Sequence, residues 1–198
     1  MRRLFLLLFL LCFNLNFVIA SEELSKQATA FYSDNNFQKT MDLLLQIQEK
    51  DRTAQDWLLL GNLFEEKGEK DNAIFMYQKA TFVDEKYYKA YYNLANIYLE
   101  NSRYNNAIEN YKLALKYNKE NPYVYYNLAC AYIKIAELKK AKSQLIKAVT
   151  IKNDIPEIHY NLAYVYKKLD KPKLAQTYLD NYNKLYNISY LQMSLFDT

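Results

Sequence analysis

Hydrophobic positions in this chain recur on two scales. The shorter is helical. Trp57, Leu60, Gly61 and Phe64 are spaced i, i+3, i+4, i+7, and so are Tyr91, Leu94, Ala95 and Tyr98. Tyr125, Leu128, Ala129 and Tyr132 follow the same spacing, as do His159, Leu162, Ala163 and Tyr166. That spacing lines one face of an α-helix. After each set comes a polar stretch, such as Glu66-Lys67-Gly68-Glu69-Lys70, and then a second stripe. The second stripes are Ala73, Tyr77, Ala80; Ala107, Tyr111, Ala114; Ala141, Leu145, Ala148; and Ala175 with Leu179. The longer scale is the distance between copies. Tyr91-Tyr92-Asn93-Leu94-Ala95, Tyr125-Tyr126-Asn127-Leu128-Ala129 and His159-Tyr160-Asn161-Leu162-Ala163 stand 34 residues apart.

The period predicts five units of two helices each. They are a degenerate first unit over 21–53, then 54–87, 88–121, 122–155 and 156–189, with a tail over 190–198. Alanine or glycine at fixed places has a mechanical meaning: two helices approach closely only where side chains are small, and the large neighbours fill the gap. Pro122 and Pro156 fall where a first helix begins, the helical position that tolerates proline. The tail carries Ile188, Leu191 and Leu195 on one helical face, and reads as a cap over the last hairpin or as a docking peptide. Composition agrees with an all-α chain. Hydrophobic residues make up 51%, yet there are only 2 glycines and 3 prolines, too few for a sandwich, a barrel or a glycine-rich phosphate loop.

On these residues the chain resembles the tetratricopeptide repeat family. The resemblance rests on Trp57, Leu60, Gly61, Phe64, Ala73, Tyr77 and Ala80 and their equivalents 34 and 68 residues on. It implies a right-handed superhelical solenoid of antiparallel helix pairs. The first unit departs from the pattern, with Gln27 for the leucine and Thr40 and Ile47 for the alanines, and the last has Tyr182 for its final small residue. Terminal repeats with one side facing water are commonly atypical.

The N-terminus predicts export. Arg2-Arg3 precede an apolar run over Leu4–Leu11, and Val18-Ile19-Ala20 offers a peptidase site, so residues 1–20 read as a secretory signal cleaved after Ala20. The alternative is an uncleaved anchor. No later run is long enough to span a membrane. Lysine far exceeds arginine and tyrosine is abundant, which with this leader suggests a bacterium and a periplasmic or envelope location.

Candidate chemistry is sparse. His159 is the only histidine and occupies the place of Trp57, Tyr91 and Tyr125, a packing position. Cys130 has no histidine placed to activate it. Nothing in the spacing suggests a metal, a cofactor or catalysis, so no enzyme activity is expected. The resemblance instead implies a concave groove lined by the first helices, where extended peptides or partner helices bind. It places Tyr92, Asn93, Tyr126, Asn127, Tyr160 and Asn161 on that groove, with Asn62, Asn96 and Tyr164 one turn on, and Lys134, Lys167 and Lys168 at its inner end. An asparagine amide both donates and accepts, and so can pair with a ligand backbone, while tyrosines add flat apolar area. The same asparagines could equally bond neighbouring repeats to one another. The family's chaperone-binding carboxylate clamp is missing, since Leu58, Asn127 and Asn161 stand where it has basic residues.

Charge is bipolar. Residues 21–87 carry 13 acidic and 8 basic side chains, a net of −5, and residues 88–198 carry 9 and 16, a net of +7. The whole chain is only +4, which does not argue for nucleic acid. The polarity suggests an acidic partner segment for the later repeats, or head-to-tail self-association. The expected function is a non-enzymatic envelope scaffold binding other proteins or peptides; the alternative is an envelope glycan-binding protein using the Tyr/Asn groove.

Overall fold

The structure is a computed structural model that describes residues 19–194, with side chains through residue 187. Those residues are all-α apart from turns and one 3-10 segment, Glu49–Asp51. A helix α1 runs over 19–33. It is followed by α2 (Phe37–Gln46), α3 (Ala54–Glu66), α4 (Lys70–Val83), α5 (Tyr88–Glu100), α6 (Tyr104–Tyr117), α7 (Pro122–Lys134), α8 (Leu138–Ile151), α9 (Pro156–Lys168) and α10 (Pro172–Ser194). The predicted all-α helix pairs are therefore observed. Residues 1–18 of the leader and 195–198 of the tail lie outside the described residues, as do the side chains from 188 on. The chain divides into two compact parts, one through Ala90 and one from Tyr91.

Local chemistry accounts for where the helices start. Thr53 and Asp56 form a capping box on α3, the Thr53 N–H donating to Asp56 Oδ2 at 2.8 Å and the Asp56 N–H to Thr53 Oγ1 at 3.2 Å. Asn121 caps α7 ahead of Pro122 by accepting from the Tyr123 N–H at 3.0 Å. Asp56 has a second use. It is fully buried, and the Ser25 hydroxyl of α1 donates to its Oδ1 at 2.5 Å. A degenerate first repeat is thus fastened to the second by one carboxylate that caps a helix and bridges to its neighbour.

All five hairpins turn in the same way. Asn35, Gly68, Ser102, Ala136 and Asp170 have φ between 55° and 77°, at the same station in every repeat. Each follows its helix in a Schellman arrangement. The residue after it donates to the carbonyl of the recurring aromatic: Asn36 to Phe31 at 2.8 Å, Glu69 to Phe64 at 2.9 Å, Arg103 to Tyr98 at 2.8 Å, Glu137 to Tyr132 at 2.9 Å and Lys171 to Tyr166 at 3.0 Å. Only one of the five is glycine.

The small-residue stations are closed contacts. Ala73, Ala107 and Ala141 are fully buried, as are Ala80, Ala114 and Ala148. Tyr77, Tyr111 and Leu145 between them are also fully buried. Gly61 meets Tyr77 so closely that an added Cβ would lie 3.0 Å from Cζ and nearer still to two other ring carbons. In the last repeat Ala175, Leu179 and Tyr182 are only half-buried, since among the described residues no further hairpin covers them.

The turns generate a test with opposite signs. Ala136→Gly should relieve the left-handed backbone strain and stabilise by up to about 1 kcal/mol, whereas Gly68→Ala should destabilise by about 1 kcal/mol. Urea midpoints of the two variants should move in opposite directions from the parent.

Candidate partner-binding face

The first helices present the tyrosines and asparagines that the repeat predicts, and the structure shows what their polar groups do. In the C-terminal part the centre is Tyr111, on α6 and fully buried. Its hydroxyl donates to Asn96 Oδ1 at 2.7 Å. The same oxygen accepts from Asn127 Nδ2 at 3.0 Å, and that amide also lies 3.2 Å from the Tyr92 hydroxyl. Four residues from two repeats form one network: α6 supplies the phenol, α5 the acceptor, and α7 the amide that closes it. Burial pushes the Tyr111 phenol well above its ordinary pKa, with the neighbouring Tyr92 adding to the shift, so it stays a neutral donor.

The N-terminal part carries a version of the same arrangement. The Tyr77 hydroxyl lies 2.8 Å from Asn62 Oδ1 and 2.6 Å from Glu65 Oε2, and Asn62 Nδ2 donates to the Tyr32 hydroxyl at 3.1 Å. In the last interface the chemistry changes. Leu145 replaces the tyrosine and Cys130 stands at the asparagine station, where Asn161 Nδ2 reaches its sulfur at 3.4 Å. Burial pushes the Cys130 thiol up, outweighing the hydrogen bonds from Tyr126 and Asn161, so it is a poor nucleophile at neutral pH. Tyr126 beside it is raised mainly by burial as well.

Of the residues singled out from sequence, Tyr92, Asn96 and Asn127 come together in one network, and Asn161 and Tyr126 meet at Cys130. Asn62 belongs to the Tyr77 cluster. Asn93 is half-buried on α5. Tyr160, Tyr164 and Lys167 line an open cleft of about 410 Å³ with Ala163 of α9 and Leu179 of α10. Tyr160 and Tyr164 are 53% and 40% exposed, more than their counterparts on earlier helices, which leaves their rings available to a ligand. Lys168 Nζ lies 5.8 Å from the Tyr164 ring centroid, and Lys134 is exposed at the end of α7. Of the two uses weighed for the asparagines, the bridging one is thus realised at Asn62, Asn127 and Asn161. The residues missed from sequence are the phenols of Tyr77 and Tyr111. A signal was present: tyrosine at 77 and 111 accompanies asparagine fifteen residues earlier, and leucine at 145 and 179 accompanies Cys130 and Tyr164.

His159 is a packing residue. It is buried, its Nε2–H donates to the Asn153 carbonyl at 2.7 Å, and its ring faces Tyr178 at 5.9 Å. Among the described residues no group of three His, Cys, Asp or Glu side chains is placed to hold a metal, and no helix is long and apolar enough to cross a membrane.

The network predicts a stability effect. Asn96→Ala removes the acceptor of a fully buried phenol and should destabilise by about 1–3 kcal/mol. Asn127→Ala should cost less, and the pair should be non-additive in a double-mutant cycle read by chemical denaturation.

Comparison with known proteins follows the same lines. The family model of the tetratricopeptide repeat protein 21 C-terminal ARM domain matches residues 20–161, and a tetratricopeptide repeat model matches residues 156–187. No curated protein sequence matches the chain. Among solved structures, MamA RS-1 (the ArsTM double mutant) is 15% identical, with a TM-score of 0.75 over 86% of this chain and 96% of its own. MamA MSR-1 is 16% identical, with a TM-score of 0.72 over 86% and 99%. A further MamA crystal structure is 19% identical, with a TM-score of 0.73 over 82% and 96%. At these identities the likeness shows the fold alone.

Proposed function

Since the chain belongs to the tetratricopeptide repeat family, in the group of the tetratricopeptide repeat protein 21 C-terminal ARM domain, we propose that it is a non-enzymatic scaffold of the cell envelope that binds an extended segment or helix of another protein along its first helices. The observation that carries this reading is the cleft of Tyr160, Tyr164 and Lys167. There two half-exposed tyrosine rings stand beside a lysine. Aromatic side chains of this kind give contact area at low conformational cost, and the lysines add attraction for an acidic segment. The bridging asparagines hold the face rigid, so a ligand meets a preorganised surface.

Export is part of the proposal and rests on Arg2-Arg3, the apolar run over Leu4–Leu11 and the Val18-Ile19-Ala20 site. The native protein should begin at Ser21 and fractionate with the envelope. Edman sequencing that finds Met1 on a soluble cytoplasmic pool overturns this.

For binding, Tyr160→Ala with Tyr164→Ala should leave helical content unchanged, because both rings are exposed. The pair should weaken capture of an envelope protein by about 1–3 kcal/mol in a quantitative pull-down followed by titration of the captured protein. Calorimetric binding of envelope glycan fragments, lost in the same variant, would support the glycan-binding alternative instead.

A further inference from the structure

A second face of α7 carries a different chemistry. At 3.6 residues per turn, Tyr125, Leu128 and Tyr132 point away from Tyr126 and Cys130. They floor an open cleft of about 420 Å³ between α6 and α8. Its rim is Lys112 and Lys116 from α6, Lys119 from the connection to α7, and Lys147 from α8. All four lysines are exposed, and none makes an ion pair among the described residues. Four like charges around this floor repel one another; Lys116 and Lys147 lie over the rings of Tyr117 and Tyr125, and no carboxylate lines the cleft.

The first repeats show what this station looks like when it is satisfied. Lys79 is the counterpart of Lys147, and Trp57 the counterpart of Tyr125, each 68 residues earlier. Lys79 Nζ lies 5.7 Å from the Trp57 ring centroid, and Lys147 Nζ lies 5.5 Å from that of Tyr125. Lys79, however, is bonded to Glu49 at 2.7 Å. There the carboxylate comes from the 3-10 segment that follows α2. The later cleft keeps a lysine over an aromatic ring, but lysines are the only charged side chains that line it.

We propose that this cleft binds a glutamate- or aspartate-rich peptide segment of a partner protein, whose carboxylates pair with the rim lysines as Glu49 pairs with Lys79 in the first repeats. The aromatic and leucine floor receives an apolar side chain next to the acidic one, and Lys112 and Lys119 widen the field for further acids. The cluster comes from α6, the connection after it and α8, while residues 21–87 carry a net charge of −5. This is a local patch and lacks the continuous basic track that a nucleic-acid backbone needs. The proposal goes beyond the reading given for Tyr160 and Tyr164, since it uses another face and other repeats.

The test is fluorescence anisotropy of a short labelled glutamate–leucine peptide with the mature chain. Wild type should bind, and added salt should weaken binding. Lys116→Glu places a carboxylate on the rim among the lysines, so it should lower peptide affinity about tenfold or more while circular dichroism and melting temperature are kept. Lys147→Gln should also weaken binding and covers the case in which the first variant misfolds. Lys184→Glu, an exposed change on α10 with the same effect on net charge, should bind like wild type. Equal weakening by Lys184→Glu would reduce the effect to bulk charge and overturn the proposal, as would wild-type affinity in Lys116→Glu and Lys147→Gln. Tighter binding of a single-stranded RNA oligonucleotide than of the peptide, with the same sensitivity to Lys116→Glu, would overturn the ligand class.

Discussion

Everything in this chain depends on two helices meeting where neither has bulk. At Gly61, Ala95, Ala129 and Ala163 on the first helices and at Ala73, Ala107 and Ala141 on the second, the backbones come close enough for one large side chain to fill the remaining space. The fully buried Tyr77, Tyr111 and Leu145 are those side chains. The contact is tightest at Gly61, where the Tyr77 ring occupies the space of a Cβ. A close-packed interior tolerates no added methyl group at such a point without a shift, so these stations set both the pairing and the register of the helices around them.

That constraint creates the next one. Filling the gap with tyrosine rather than leucine buries a hydroxyl, and a buried hydroxyl without a partner costs a large share of a small protein's stability. Asn62 and Asn96 answer it from the facing helix, and Asn127 then ties Asn96 to the following repeat. Where Leu145 fills the gap there is no hydroxyl, and the facing position is free to become Cys130. Asn62 and Asn96 are therefore the counterparts of the buried phenols. Asn127 and Asn161, one repeat on, hydrogen-bond to Tyr92 and Tyr126 and so help to hold those rings in place.

How much of this could be read in advance differs by level. Helix number, pairing and the closed alanine stations follow directly from the i, i+3, i+4, i+7 stripes and the 34-residue period, because burial and periodicity are the same signal. The turns were only partly legible. Gly68 announces a left-handed residue, but Asn35, Ser102, Ala136 and Asp170 adopt the same conformation for want of an alternative way to satisfy the aromatic carbonyls behind them. The partners of Asn127 were out of reach, since its dual bond to Asn96 and Tyr92 depends on how one repeat seats on the next. The exposure of Tyr160 and Tyr164 follows from position in the array. Tyr160 repeats Tyr92 and Tyr126 while Tyr164 stands where Asn62, Asn96 and Cys130 stand, and among the described residues no later first helix covers either of them.

A repeat protein also contains its own comparisons. Stations that keep the same residue type in every copy answer to packing, as the alanines do. Stations where one copy breaks the pattern at no packing advantage are where other demands show. Lys79 and Lys147 differ in this way. Each lies over an aromatic ring, but Lys79 is bonded to Glu49 while the cleft around Lys147 has lysines as its only charged side chains. An exposed ion pair supplies only a weak attraction, so stability alone exerts little pressure to retain one. Part of the basic excess of the later repeats thus stands on the rim of one aromatic cleft, while in the earlier repeats the lysine over the ring is paired from within.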